Sequence, residues 1–198
     1  MRFVRREVAL LRALALLLTG RRDVAPDERA IGYSGPLVPM LVVLTVVDGI
    51  VAVLLHVLLP DAVQGLALVL GLVGVLWLAA FVASLVVLPH TVSATRLRLR
   101  FGVFQEVELP VGAVRSVSTT HAQPRTTRSA QLFDDELEMA VANQAGVVVE
   151  LEPTAYRSLD PRVAAPALTR VVFHADDPRE ARRLLLAAAA EAHQGEGR

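Results

Sequence analysis

The 198-residue chain is 54% hydrophobic, above the roughly 45–50% of soluble domains, and its 20 basic and 20 acidic residues cancel to a formal net charge of zero. That balance speaks against the strongly basic surface of a nucleic-acid-binding domain. Cysteine is absent and every basic residue is arginine, which excludes disulfide frameworks, thiolate metal sites, thiol nucleophiles, and lysine-based Schiff-base or phosphate-loop chemistry.

Residues 1–20 read as an amphipathic helix. At about 100° per residue, Arg2, Arg5, Arg6 and Arg12 fall within one sector of about 120°, opposite Val4, Leu11, Leu14 and Leu18. The pattern predicts a helix in the membrane interface with its arginines toward anionic headgroups; packing on a cytoplasmic domain or a second subunit is the alternative. A signal peptide fits poorly, because Arg12 interrupts the apolar stretch and Thr19-Gly20-Arg21-Arg22 is a poor cleavage site. Residues 21–36, with Pro26, Gly32, Gly35 and Pro36, read as a linker.

Nearly all the hydrophobic excess lies between Leu37 and Leu88. Residues 37–59 and 62–88 are each long enough, at about 1.5 Å per residue, to cross a hydrocarbon core of roughly 30 Å. Only Pro60 and Asp61 separate them, so they predict a tight transmembrane hairpin. Seven arginines precede the first span and Arg96, Arg98 and Arg100 follow the second, while the turn has none. The positive-inside rule then puts both termini in the cytoplasm. The all-arginine, Ala-, Val-, Leu- and Gly-rich composition suggests a high-GC bacterial genome, and hence an inner membrane.

Asp48 stands near the middle of the first span, where a carboxylate costs roughly 2.5–3.5 kcal/mol on insertion scales. The hairpin brings it near Gly71 to Gly74. A structural helix contact, within the chain or to another subunit, and proton or ion handling are both open readings. His56 lies near the outer end and reads as a water contact, while Trp77 and Phe81, one turn apart, read as lipid or packing contacts.

Residues 91–193 form the expected cytoplasmic domain. Arg96 to Phe101 alternates basic and apolar residues, Gly102 interrupts, and Val107, Leu109 and Val111 alternate with Glu106, Glu108 and Pro110, predicting a β-hairpin. Val114 to Ser118 predicts a third strand, and Thr119 to Asp135 a long loop. Further strands are expected at 136–142, 147–152 and 169–174, with turns at Asn143 to Gly146 and around Asp160-Pro161. Asp177 as N-cap, Pro178 at the first helical position and Glu180 at capping-box spacing predict a final helix. Ala181, Leu184, Leu185 and Ala188 form its buried stripe. The expected fold is α+β, an antiparallel β-barrel or sheet capped by a C-terminal helix.

The strings Thr95 to Phe104, Glu106-Val107-Glu108-Leu109-Pro110 and Val114-Arg115-Ser116-Val117 resemble the opening of membrane-anchored bacterial PH-like domains. Val147 to Glu152 with Val171 to Pro178 is similar to the late strand and "D-D-P" helix entry of actinobacterial membrane proteins of unknown function. The resemblance covers about residues 91–192. It implies a PH-like fold behind a two-span anchor and brings no catalytic residues.

Arg96, Arg98 and Arg100 share one strand face close to the membrane. They suit anionic lipid at about 1 kcal/mol each, or cross-strand pairing with Glu106 and Glu108; both readings stand. Asp134, Asp135, Glu136, His174, Asp176 and Asp177 have no metal-loop spacing, and neither a metal-protease His pair nor a nucleophile elbow occurs. The expected function is a non-catalytic binding or scaffold module on the cytoplasmic face of the inner membrane, without cofactor. Its expected partners are the bilayer, anionic headgroups, a membrane or cytoplasmic protein, and a second copy in a homo-oligomer. The alternative is a subunit of a transport or channel assembly using Asp48.

Overall fold

The computed structural model describes residues 2–120, 123–126, 128–154, 156–158 and 167–196, with backbone only for residues 2–5, 157, 158, 195 and 196. The side chains of Arg2 and Arg5 and the turn expected around Asp160-Pro161 lie outside what is described.

Helix α1 (Arg2–Leu18) precedes an antiparallel pair, α2 (Leu37–Leu58) and α3 (Asp61–Val87), turned by the extended Pro60. Gly71 sets the pair's separation, since a side chain there would collide with the Ala52 Cβ. At the turn, the Gln64 Nε2 donates to the Leu59 carbonyl at 2.8 Å and satisfies a helix-end acceptor. Both helices are long and apolar enough to cross a membrane, and only 11% of each one's most apolar stretch is buried. A soluble core helix would be covered, whereas these leave leucine and valine facing outward. The exposed zone runs from Met40 to Leu58 and from Asp61 to Ala79, about 27 Å on each helix. From Ala80 the side chains of α3 enter the protein: Ala80, Ala83, Ser84, Leu85 and Val87 are buried.

The α+β domain contains ten strands among the described residues: β1 (Arg29–Ile31), β2 (His90–Val92), β3 (Arg96–Phe101), β4 (Gln105–Pro110), β5 (Val114–Thr119), β6 (Gln131–Phe133), β7 (Glu136–Met139), β8 (Val147–Thr154), β9 (Arg157–Ser158) and β10 (Leu168–Phe173). They form two five-stranded sheets, ordered β1-β2-β3-β4-β9 and β5-β8-β10-β7-β6. Helix α4 (Pro178–Glu196) follows. One core is shared by both sheets and α4, with Leu97, Leu99, Leu137, Val149, Phe173 and Leu185 wholly buried. The cap is as the sequence implies: the Asp177 Oδ1 accepts the N–H groups of Arg179 and Glu180, both at 3.0 Å. Glu180 does not complete a capping box but pairs with Arg183 at 2.7 Å.

Several expectations need correction. Among the described residues the barrel is not closed: each sheet keeps two edges, β1 and β9 in one, β5 and β6 in the other. Nor is pairing wholly antiparallel, because β10 lies between antiparallel β8 and parallel β7. Residues 21–36 are no mere linker: β1 adds an edge strand beside β2, and Tyr33 is fully buried. The stretch Thr119 to Asp135 includes β6, which pairs with β7 through a turn where Asp134 takes φ 53°. Strand β7 ends at Met139, because the chain turns back at a lone Val141–Gln144 bridge with Ala142 and Asn143 left-handed. On α4, Ala181, Leu185 and Ala188 are buried as expected, but Leu184 only partly so.

Candidate functional site at the membrane face

The β3–β4 pairing sets Arg98 opposite Glu108 and Arg100 opposite Glu106, so period-two alternation stacks opposite charges on one face while Leu97 and Leu99 enter the core. The Arg98 Nη2 lies 2.9 Å from Glu108 and the Arg100 Nε 3.1 Å from Glu106. Residues 23–28 add two carboxylates, as a strap across this face. Glu28 receives Arg96 at 2.8 Å, and Asp23 receives Arg100 at 3.0 Å. Three guanidiniums thus meet four carboxylates, Asp23, Glu28, Glu106 and Glu108. Arg100 is 5% exposed and its guanidinium is committed within the protein. Of the two readings of this strand face, the geometry is that of the ion-paired one, extended by a strap the sequence did not foretell.

Burial works against the charged form of Glu28, but the Ala25 N–H and the Arg98 guanidinium, with Thr91 and Arg96, outweigh it and hold the carboxyl below its usual range. Burial likewise opposes charge on Arg98, and Glu108, Glu106 and Glu28 more than offset it, holding the guanidinium above its usual range. At Glu28 and Arg98 the ladder therefore favours the charged forms.

Beside it lies the joint between strap, sheet and α3. The ring of Tyr33 stacks on His90 at 4.3 Å, with ring planes 16° apart, and its hydroxyl accepts the Gly102 N–H at 2.8 Å. Gly102 takes φ +51° in the β3–β4 turn, and a side chain there would meet the Ser84 Oγ at 2.6 Å. The His90 Nδ1 accepts the Arg100 N–H at 2.9 Å, so the ring proton sits on Nε2 and is donated to the His174 carbonyl at 3.2 Å. Farther along, Asp176 Oδ1 accepts the Gly35 N–H at 2.9 Å, and the Asp176 N–H reaches the Gly32 carbonyl at 2.8 Å. Side chains at Gly32 and Gly35 would lie 2.7 and 2.8 Å from that carboxylate and force it to shift, so glycine lets residues 32–35 dock there undisturbed.

Burial pushes the His90 pKa down to about 3; the positive charges of Arg100 and of a protonated His174 act in the same direction. His174 is also lowered by burial, with Asp176 opposing the shift. Unfolded, His90 titrates near 6.5. Between those values the unfolded chain holds the extra proton, so stability is complete above pH 6.5 and falls with pH, by up to about 1.4 kcal/mol per unit. Melting of the purified protein is expected to move to lower temperature from pH 6.5 to pH 4, with a shallower slope in His90→Gln. A melting temperature independent of pH over that range would contradict the assignment.

Helix α1 packs along the buried end of α3 through Leu10 and Ala13. Val8, Leu11 and Leu18 remain exposed, as do Arg6 and Arg12. Helix α1 therefore has a protein-facing side as well as an outward apolar one, joining features of both sequence alternatives. The Arg6 guanidinium lies 5.9 Å from the centre of the Phe104 ring. Phe104, in the β3–β4 turn, meets Phe81 edge-on at 5.4 Å and Trp77 at 6.3 Å. These aromatics lie where the exposed zone of α3 ends.

Asp48 sits on the seam of the hairpin, its Oδ2 3.1 Å from where a Gly74 side chain would begin. It is partly exposed. Among the described residues its carboxylate has no hydrogen-bond or ion-pair partner. His56 faces the Gln64 carbonyl at 3.5 Å, near the turn.

Glu28, Tyr33, His90 and Asp176 were not singled out from sequence in these roles. Only Tyr33 left a signal, as an aromatic residue within a Pro- and Gly-rich segment. Among the described residues no three His, Asp or Glu side chains converge as a metal site. Comparisons of the chain with protein-family models, curated proteins and solved structures find no match.

Proposed function

We propose that the chain is a non-catalytic, PH-like binding or scaffold module, held on the cytoplasmic face of a bacterial inner membrane by its two-helix hairpin. The observation that carries this reading is the joint built from Tyr33, His90, Gly102 and Asp176, which ties the segment before α2 into the domain's core and leaves no free tether. Such a mounting holds a binding surface at one height and orientation above the bilayer. Exposed Arg6 and Arg12 on α1 supply contacts to anionic headgroups. The β3 arginines are internally neutralised and are not assigned that role.

Crosslinking in native membranes tests the scaffold reading. Without lysine, the chain calls for carboxyl- or photo-reactive reagents. Reproducible crosslinks from the domain to one partner protein are expected, and crosslinks confined to the chain itself would overturn the reading. Topology is tested separately, because a cysteine-free chain permits single-cysteine labelling. Thr19→Cys and Gln194→Cys should react with an impermeant maleimide only after permeabilisation, and Asp61→Cys from outside intact cells. The reverse pattern would invert the anchor.

A further inference from the structure

We propose that Asp48 is a docking point for a transmembrane helix of another protein that carries an arginine or lysine at mid-membrane depth; this rests on the membrane-anchored reading above. Asp48 lies about 12 Å along α2 from Met40 and about 15 Å from Leu58, the two ends of the exposed zone. A carboxylate at that depth is far from water and needs a donor or a counter-charge.

Among the described residues the chain supplies neither. The facing surface of α3 is Gly74, which makes room without donating anything. Thr45, one turn before Asp48, has already given its hydroxyl proton to the Leu41 carbonyl at 2.8 Å. His56 is two turns away, facing the Gln64 carbonyl. No arginine occurs between Leu37 and Leu88. A second copy brings no counter-charge, because at the same depth it adds another carboxyl group and the same committed threonine. Charge complementarity therefore selects a basic helix from a different protein. The absent side chain of Gly74 and the partial exposure of Asp48 leave the carboxylate within reach from the seam's edge.

The test uses the full chain in liposomes, with a donor fluorophore on Thr19→Cys. The probe is a synthetic apolar helix of roughly 20 residues with one central arginine, compared with the same helix carrying leucine there. Flotation first establishes that the chain and its Asp48→Asn and Asp48→Leu variants are inserted. Energy transfer should report association of the arginine helix about tenfold tighter than the leucine helix. Asp48→Asn, which keeps the shape and removes the charge, should abolish that preference, as should Asp48→Leu.

Equal binding of the two probes overturns the proposal, as does a preference that survives in Asp48→Asn. Self-association without any probe, lost in Asp48→Leu, would instead make the occupant a second copy. A proton flux into the liposomes, lost in Asp48→Asn, would make Asp48 part of a transport path. A chain that does not float with the liposomes overturns the membrane reading itself, and the docking proposal with it.

Discussion

Tyr33→Ala is expected to detach the sheet domain from the hairpin while the spans stay inserted. The wild-type ring is fully buried in a small cluster with Leu41, Leu85 and Val141, stacked on His90, and its hydroxyl satisfies the Gly102 N–H. Removing a buried aromatic costs about 3–5 kcal/mol, and an orphaned N–H adds about 1–3 kcal/mol. A total near 5 kcal/mol is comparable to the whole stability of many domains. Trypsin reads the outcome directly, because Arg21, Arg22 and Arg29 flank the strap. In membranes, cleavage there should accelerate strongly, by up to the factor that the stability loss implies. Tyr33→Phe keeps the ring and loses only the hydroxyl, for about 1–3 kcal/mol. If the alanine variant resists trypsin as wild type does, the joint is not what holds the domain.

Leu185→Asp is expected to unfold the domain outright. Its side chain is fully buried where α4 meets the shared core of the two sheets, and the nearest basic residues on α4, Arg182 and Arg183, are directed elsewhere. Arg182 donates to the Val117 carbonyl at 2.9 Å, and Arg183 pairs with Glu180. An unpaired carboxylate at such a position costs more than about 4 kcal/mol, the range reserved for severe core lesions. Hydrogen exchange should show β5, β8 and β10 losing protection together, while α2 and α3 keep theirs. Leu184→Asp should be milder, because that side chain is only partly buried. Equal effects at the two positions would mean that the helix face is wrongly assigned.

Elements with strong local patterns were legible in the residues alone. The hairpin needed only continuous apolar length and the Pro60-Asp61 break, and α4 needed its Asp177 cap and its apolar stripe. The β3–β4 pair followed from alternation, with Glu106 and Glu108 as cross-strand partners for its arginines; the register that sets Arg98 opposite Glu108 and Arg100 opposite Glu106 came only with the fold. Short strands were less visible. β1 and β6 are three residues each, too brief for a period to register, and they exist because neighbouring strands offer hydrogen bonds.

The same division holds for function. Composition and periodicity determined that two segments suit a membrane, that Asp48 lies near the middle of the first, and that three arginines share one face. Whether those arginines are free or paired was decided by the strap, since Glu28 and Arg96 meet across 68 positions of sequence. The joint at Tyr33 likewise brings together a Gly- and Pro-flanked aromatic, a histidine just past a helix end and an aspartate before another helix. None of these carries a local signature, because burial, stacking and charge compensation are properties of neighbours in space. Local sequence sets which surfaces are apolar or charged, and tertiary packing decides which are covered. For Asp48, packing against glycine leaves the carboxylate without a partner among the described residues.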